Sequence, residues 1–394
     1  MRCLRTLAVL VLAAGAAGLA TAPAHATGSP VGGPALASRG VVVDYAAGVS
    51  RLPKVQAASW VVADATTGEV LAAKAPHVRH RPASTLKTLT AVTLLPRLDK
   101  SATYVATDAD ARVEGSKAGL VPNAPYTVDQ LFYGMFLPSG NDAATALAKA
   151  AGGVRSTVAL MNAEAKTLQA LDTTVVNPTG LDADGQYSSA YDLALIFRAG
   201  LARPDFRLYI GTLEHPMPGK MPKKGHPRKT YELWNQDRLL QQGYPGLIGG
   251  KTGYTTLAGR TFVAAAQRGG HTIIVTLMGI KEPSAAAARS LLAWGFHNAS
   301  KAHPVGILVP PASTTAHAAP SAAAAASPGA AKATPSVATT HAKTSGTSGH
   351  GWLMWAGAAL VLVGIALLVR PLVGRRRRGT ERDRLLRAAR RWSP

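Results

Sequence analysis

Three short patterns carry the residue types that acyl transfer needs. Ser84-Thr85-Leu86-Lys87 opens an apolar stretch directly after Pro82-Ala83, and a serine and a lysine three apart on a helix share one face. In the first turn the backbone N–H groups lack intrahelical partners and the helix dipole favours negative charge, so a serine oxyanion and a tetrahedral intermediate are both stabilised there. A lysine one turn on can take the hydroxyl proton if its amine is neutral. Ser139-Gly140-Asn141 follows Pro138 ahead of another helical stretch. It offers a hydroxyl that can relay protons and an amide that can hold a substrate backbone. Lys251-Thr252-Gly253, followed by Tyr254, stands behind Gly249-Gly250, where glycines let a substrate backbone approach a strand closely. Each pattern alone also has an ordinary reading: a capping serine, a turn capped by Asn141, a glycine turn beside a surface lysine. Together, each occurring once and in that order, they make coincidence a poor account.

Those residues need a scaffold. Residues 59–63 and 69–73 are short apolar runs flanking Thr66-Thr67-Gly68, and residues 261–266 and 272–278 flank Gly269-Gly270; both read as hairpins. Helical stretches lie between them at 86–95, 128–135, 142–151, 157–171 and 190–201, and a last one at 285–296 closes the domain. Thr127 with Gln130 and Ser189 with Asp192 have the form of capping boxes. Strands at both ends and helices between predict an α/β domain whose antiparallel sheet is built from both ends of the domain, with a helical subdomain beside it.

On these motifs the chain resembles the serine DD-peptidases and penicillin-binding proteins that share the set with class A β-lactamases, and most closely the low-molecular-mass D-alanyl-D-alanine carboxypeptidases. The resemblance covers residues 59–296 and includes Asp64 with Thr67-Gly68, Asn177-Pro178-Thr179-Gly180-Leu181, and Lys251 to Thr255 with Ala258-Gly259. It implies a β-lactamase/DD-peptidase-like fold and removal of the terminal D-alanine of the peptidoglycan stem peptide, with β-lactams as inhibitors and no cofactor. Ser84 would be the nucleophile, Lys87 the base and Ser139 the group returning the proton to the leaving amine. Asn141, Lys251, Thr252 and Tyr254 would bind substrate, with the Ser84 and Tyr254 N–H groups as oxyanion hole. Departures matter too. Gly140 stands where β-lactamases usually have Asp, and no Glu-x-x-Leu-Asn element is found; Glu164, the one acid in the right region, reads as an exposed helix position. Where relatives carry an arginine before the closing helix this chain has Ser284, which leaves Lys251 and Lys281 as expected cations for the substrate carboxylate. A β-lactamase or DD-endopeptidase on the same site, or a vestigial wall-binding module, stays open.

The formal charge of +22 over 394 residues suggests nucleic acid only until it is apportioned. The tail after Val369 holds ten Arg against Glu381 and Asp383. It follows the uncharged apolar run 352–369, long enough for a membrane span, and reads as the cytoplasmic stop of the positive-inside rule. Residues 1–26 read as a signal peptide with Arg2, Arg5 and an Ala24-His25-Ala26 cleavage site. The expected layout is then a flexible leader 27–56, the catalytic domain 57–300, an Ala/Pro/Ser/Thr-rich tether 301–350, a single transmembrane helix 351–373 and a basic cytoplasmic tail 374–394. This predicts a bacterial single-pass membrane protein with its catalytic domain on the wall side and no nucleic-acid partner. The only cysteine, Cys3, lies in the signal, so thiol chemistry and disulfides are excluded from the mature protein. The basic stretch 215–229 has histidines spaced too irregularly for a metal and reads as a solvated loop; no metal site is expected.

Overall fold

Apolar strands from the two ends of the domain pair with each other. The computed structural model describes residues 30–312, and its main sheet has seven strands: β1 (Val41–Val43), β2 (Ser59–Asp64), β3 (Glu69–Lys74), β4 (Leu247–Thr255), β5 (Gly259–Arg268), β6 (His271–Ile280) and β7 (Gly306–Ile307). Their order is β1-β3-β2-β6-β5-β4, with β7 also on β3. The joint between the ends is the antiparallel β2–β6 pair, with Val62 opposite Val275 and Ala63 opposite Ile274.

Alternation along these strands serves two apolar layers. Trp60, Val62, Phe262, Ala264, Val275 and Leu277 pack with Leu291 and Leu292 of the closing helix. Val61, Ala63, Val263, Ala265 and Ile274 face the opposite way and join the core of the helical region. The longer helices are α1 (Lys87–Leu94), α2 (Val128–Phe136), α3 (Asn141–Ala150), α4 (Val154–Thr167), α5 (Ala190–Leu201), α6 (Pro204–Gly211) and α7 (Ser284–Asn298).

The structure adjusts several expectations. α4 starts and stops earlier than 157–171, because Gln169 adopts a left-handed φ of 58° that ends the helical run. The Thr127–Gln130 capping box is complete. At Ser189 only half of one forms: Ser189 Oγ accepts the Asp192 N–H, while the Asp192 carboxylate accepts the Thr173 hydroxyl at 2.7 Å. The leader is not merely flexible. From Pro30 on it is packed: Leu36 is fully buried, Val41–Val43 adds an edge strand, and Trp294 Nε1 donates to the Ser50 carbonyl at 2.9 Å. Nor does the tether begin at 301, since β7 pairs with β3 and Arg198 donates to the buried Leu308 carbonyl at 2.8 Å. In both stretches the apolar residues fall in runs too short for periodicity to reveal them. The basic stretch 215–229, expected as a solvated loop, instead begins inside a ribbon in which Glu214–Pro218 pairs with Thr230–Trp234. The predicted signal peptide, the rest of the tether, the span and the basic tail lie outside the described residues, among which no helix is long and apolar enough to cross a membrane.

Candidate active site

Ser84 sits in a tight turn, Ala83–Leu86, with 3₁₀ geometry, and α1 begins at Lys87. Residues three apart are eclipsed in a 3₁₀ turn, so serine and lysine meet. Lys87 is fully buried, and its Nζ lies 2.9 Å from Ser84 Oγ, 2.6 Å from Asn141 Oδ1 and 2.7 Å from the Thr179 carbonyl. A neutral amine has two N–H donors and one lone pair. With the Asn141 and Thr179 oxygens, which can only accept, taking both donors, the lone pair faces the Ser84 hydroxyl.

Electrostatics favour that neutral form. Burial first, and then the like charge of Lys251, pull the Lys87 ammonium well below the ordinary lysine range, against a smaller opposing effect of Asp142. Lys251, also buried, is lowered to about 7, with Asp237 opposing. Asp237 is itself pushed up to about 6 by burial. A proton retained by the two lysines therefore resides on Lys251, which has the acid nearby.

Glycines make the close approaches possible. Gly180, at φ 83°, backs onto the turn before Ser84: a Cβ there would overlap the Ala83 carbonyl oxygen, 1.9 Å away. Ala83 itself is held at φ 48°. Asn177 Oδ1 accepts from the Thr179 N–H, the Thr179 hydroxyl and the Gly180 N–H, a turn that aims the Thr179 carbonyl at Lys87. Gly253 lies against the other side, where an added Cβ would stand 2.8 Å from the Ser84 nitrogen.

Ser139 is buried at φ 63°, and its Oγ has no hydrogen-bond partner among the described residues although the residue lines the cleft. Asn141 is the first residue of α3, not its cap, which is Gly140. Its amide spans from Lys87 to the Glu114 carbonyl, 2.7 Å away. Asp142 was missed in the sequence. Its carboxylate accepts the N–H groups of Ala118, Gly119 and Leu120 at 2.8 to 3.1 Å, fixing the loop from which Ser116 lines the cleft. An acid in a helix's first turn directly after Ser-x-Asn was the available signal.

β4 is an edge strand. Thr252, Gly253 and Tyr254 line a cleft of about 820 Å³ together with Ser84, Ser116 and Ser139. Lys251 lies behind it, 2% exposed, its Nζ donating to the Thr252 carbonyl at 2.9 Å. The structure thus gathers all seven expected residues: Ser84, Lys87, Ser139, Asn141, Lys251, Thr252 and Tyr254. It corrects the expected carboxylate cations. Lys251 is buried, and Lys281, its N–H tied to the Gln56 carbonyl, does not line the cleft. Arg238, Arg260 and Arg289 do, and no Asp or Glu is among the lining residues described. These arginines come from three separate elements, so spacing alone gave no sign of them. Glu164 is also corrected: it is mostly buried and pairs with Arg97 at 3.7 Å. Elsewhere His77, Asp172 and Asp192 lie close enough to share an ion. Both ring nitrogens of His77 are already engaged, by Asp172 and by the Val31 carbonyl.

Known proteins share the family and the fold. A family model described as D-alanyl-D-alanine carboxypeptidase matches residues 46–282. A D-alanyl-D-alanine carboxypeptidase of Mycobacterium tuberculosis is 44% identical over 259 residues, 64% of this chain and 86% of the relative. One from Bacillus subtilis is 34% identical over 58% of each chain, so the match spans little more than half of that relative. Among solved structures, a D-alanyl-D-alanine carboxypeptidase of M. tuberculosis is 42% identical with a TM-score of 0.62, covering 66% of this chain and 98% of that one. The Streptomyces K15 DD-transpeptidase is 30% identical with a TM-score of 0.59, covering 63% and 99%.

Proposed function

Because the chain belongs to the D-alanyl-D-alanine carboxypeptidase family, we infer that it removes the terminal D-alanine from peptidoglycan stem peptides through an acyl-enzyme on Ser84. The substrate's backbone lies along the open edge of β4. Ser84 Oγ attacks the penultimate carbonyl as its proton passes to Lys87. The oxyanion is held by the Ser84 and Tyr254 N–H groups, worth roughly 3 to 4 kcal/mol per donor in comparable sites. Ser139 carries the proton from Lys87 to the leaving amine, D-alanine departs, and water hydrolyses the ester. Asn141 fixes Lys87 and the substrate backbone, Lys251 sets the positive field, and Thr252 meets the substrate's C-terminal end.

The observation that carries this reading is the 2.9 Å contact of Lys87 Nζ with Ser84 Oγ, made while both of its donors are taken up elsewhere. The full-length chain in detergent, given a peptide ending in D-Ala-D-Ala, is expected to release one D-alanine per peptide. Release of no D-alanine, or internal cleavage of cross-linked muropeptides alone, would overturn the carboxypeptidase assignment. Among the described residues no carboxylate lines the cleft, which supports a peptidase over a β-lactamase, since none of them stands ready to activate water on a β-lactam adduct.

The lysines predict a pH profile. Acylation needs Lys87 neutral, so kcat/KM rises with pH through its depressed value. The Lys251 charge, which favours an anionic substrate, is lost as pH climbs through about 7, so kcat/KM then falls. The expected curve is a bell with its upper limb near neutrality; a rate still climbing toward pH 10 would contradict it.

Residues 352–369 and the arginines after them support a single membrane span with the catalytic domain on the wall side. The full chain is expected in the membrane fraction, and a chain ending at Ala312 in the soluble fraction with its activity retained. Recovery of the full chain in the soluble fraction would contradict the anchor.

A further inference from the structure

We infer that Arg260 holds the free carboxylate of the substrate's terminal D-alanine, an assignment that rests on the carboxypeptidase reading above. The sheet pleat supplies the geometry. β4 and β5 are antiparallel, with Thr252 opposite Phe262 and Tyr254 opposite Arg260. Opposed residues, and residues two apart on a strand, project from the same face. Thr252, Tyr254, Arg260 and Phe262 therefore share one face, and all four line the cleft. Lys251 and Gly253 project from the other face, where Gly253 meets the Ser84 turn. Arg260 stands diagonally across from Thr252, a spacing that long side chains bridge.

Its guanidinium is free to accept a ligand. Among the described residues Arg260 makes no salt bridge and no side-chain hydrogen bond, and its only noted partner is the Tyr254 ring, 5.9 Å from centroid to guanidinium carbon. The other arginines of the cleft are less suited. Arg289 donates to Gln242 Oε1 at 2.8 Å and lies 5.0 Å over the Tyr244 ring. Arg238 enters from the short helix Arg238–Gln241 and shares no strand register with Thr252. The carboxylate belongs to the leaving residue, one residue beyond the carbonyl that Ser84 attacks, so its partner must stand close to Ser84 along β4. A guanidinium offers paired N–H donors that match a carboxylate, and among the described residues no acid lining the cleft competes for it.

The test compares kcat/KM for a peptide ending in D-Ala-D-Ala with that for its C-terminal methyl ester, in the full-length wild type, Arg260→Gln, Arg260→Lys, Arg238→Gln and Arg289→Gln. In Arg260→Gln the acid-to-ester ratio is expected to fall by about 10- to 100-fold, the range of one charge-assisted hydrogen bond, chiefly through KM. Arg260→Lys should recover part of it, and the other two variants should keep the wild-type ratio. A wild-type ratio retained in Arg260→Gln, or lost in Arg289→Gln or Arg238→Gln instead, would overturn the assignment while leaving the carboxypeptidase reading intact. A wild type that cleaves neither peptide would overturn both.

Discussion

Lys87→Met is expected to lower penicillin acylation by about a hundred- to ten-thousand-fold, the usual contribution of a positioned base. The change removes the amine but keeps a chain of similar length in a fully buried slot. It leaves the Asn141 Oδ1 and Thr179 carbonyl acceptors without their Lys87 donor, at about 1 to 3 kcal/mol each where they stay dry. The variant is therefore somewhat less stable, and its rate must be read well below its Tm. Lys87→Arg should be equally inactive, because a guanidinium cannot give up its proton at working pH. Stopped-flow labelling with a fluorescent penicillin, on variants shown by circular dichroism to be folded, measures the rate. A folded Lys87→Met protein acylated within about tenfold of wild type would remove Lys87 from the role of base.

The second large effect is predicted at a residue that has no side chain. Gly180→Ala should lower both stability and acylation, because its Cβ would overlap the Ala83 carbonyl directly before Ser84, at a left-handed φ of 83°. Backbone strain and overlap each cost about 1 to 3 kcal/mol, and in a domain this large each kcal/mol lowers Tm by about 2 to 4 °C. Gly185→Ala is the control: φ is 82° there too, but nothing stands within 4 Å of the added carbon. Gly185→Ala should lose stability modestly and keep its acylation rate, whereas Gly180→Ala should lose at least about tenfold in rate, since a 1 Å shift of a nucleophile costs that much or more. Equal acylation rates in the two variants would show that the Ala83–Gly180 contact does not position the nucleophile.

The site was legible where chemistry is local. Ser84 and Lys87 lie within one turn, and Ser139 and Asn141 flank one glycine, so their types and spacing carried the signal. The α/β DD-peptidase fold was legible for a similar reason: β2, β3, β5 and β6 are continuous apolar runs on either side of glycine turns, and α5 falls on the predicted residues 190–201. What escaped depends on contacts between distant segments. Thr179 serves Lys87 through its carbonyl, which any residue possesses, so its type gave no hint. Asp237 caps the turn at Leu239 and Leu240, and its effect on Lys251 exists only once β4 is in place. Arg260 reads as one more basic residue in a basic chain until the β4–β5 register sets it diagonal to Thr252. The edge strand at Val41–Val43 and the return of Gly306–Ile307 to β3 escaped because each is too short for its pattern to stand above the Gly, Ala and Pro around it.

Whether Ser84 is the nucleophile of a slowly deacylating peptidase is tested most directly by the mass of the intact protein after incubation with benzylpenicillin. An increase by one whole benzylpenicillin per chain is expected, lasting minutes or longer, mapping to the peptide containing Ser84 and absent in Ser84→Ala. An adduct on Ser139, Ser116 or any other residue, or rapid turnover of penicillin with no adduct trapped, would contradict it.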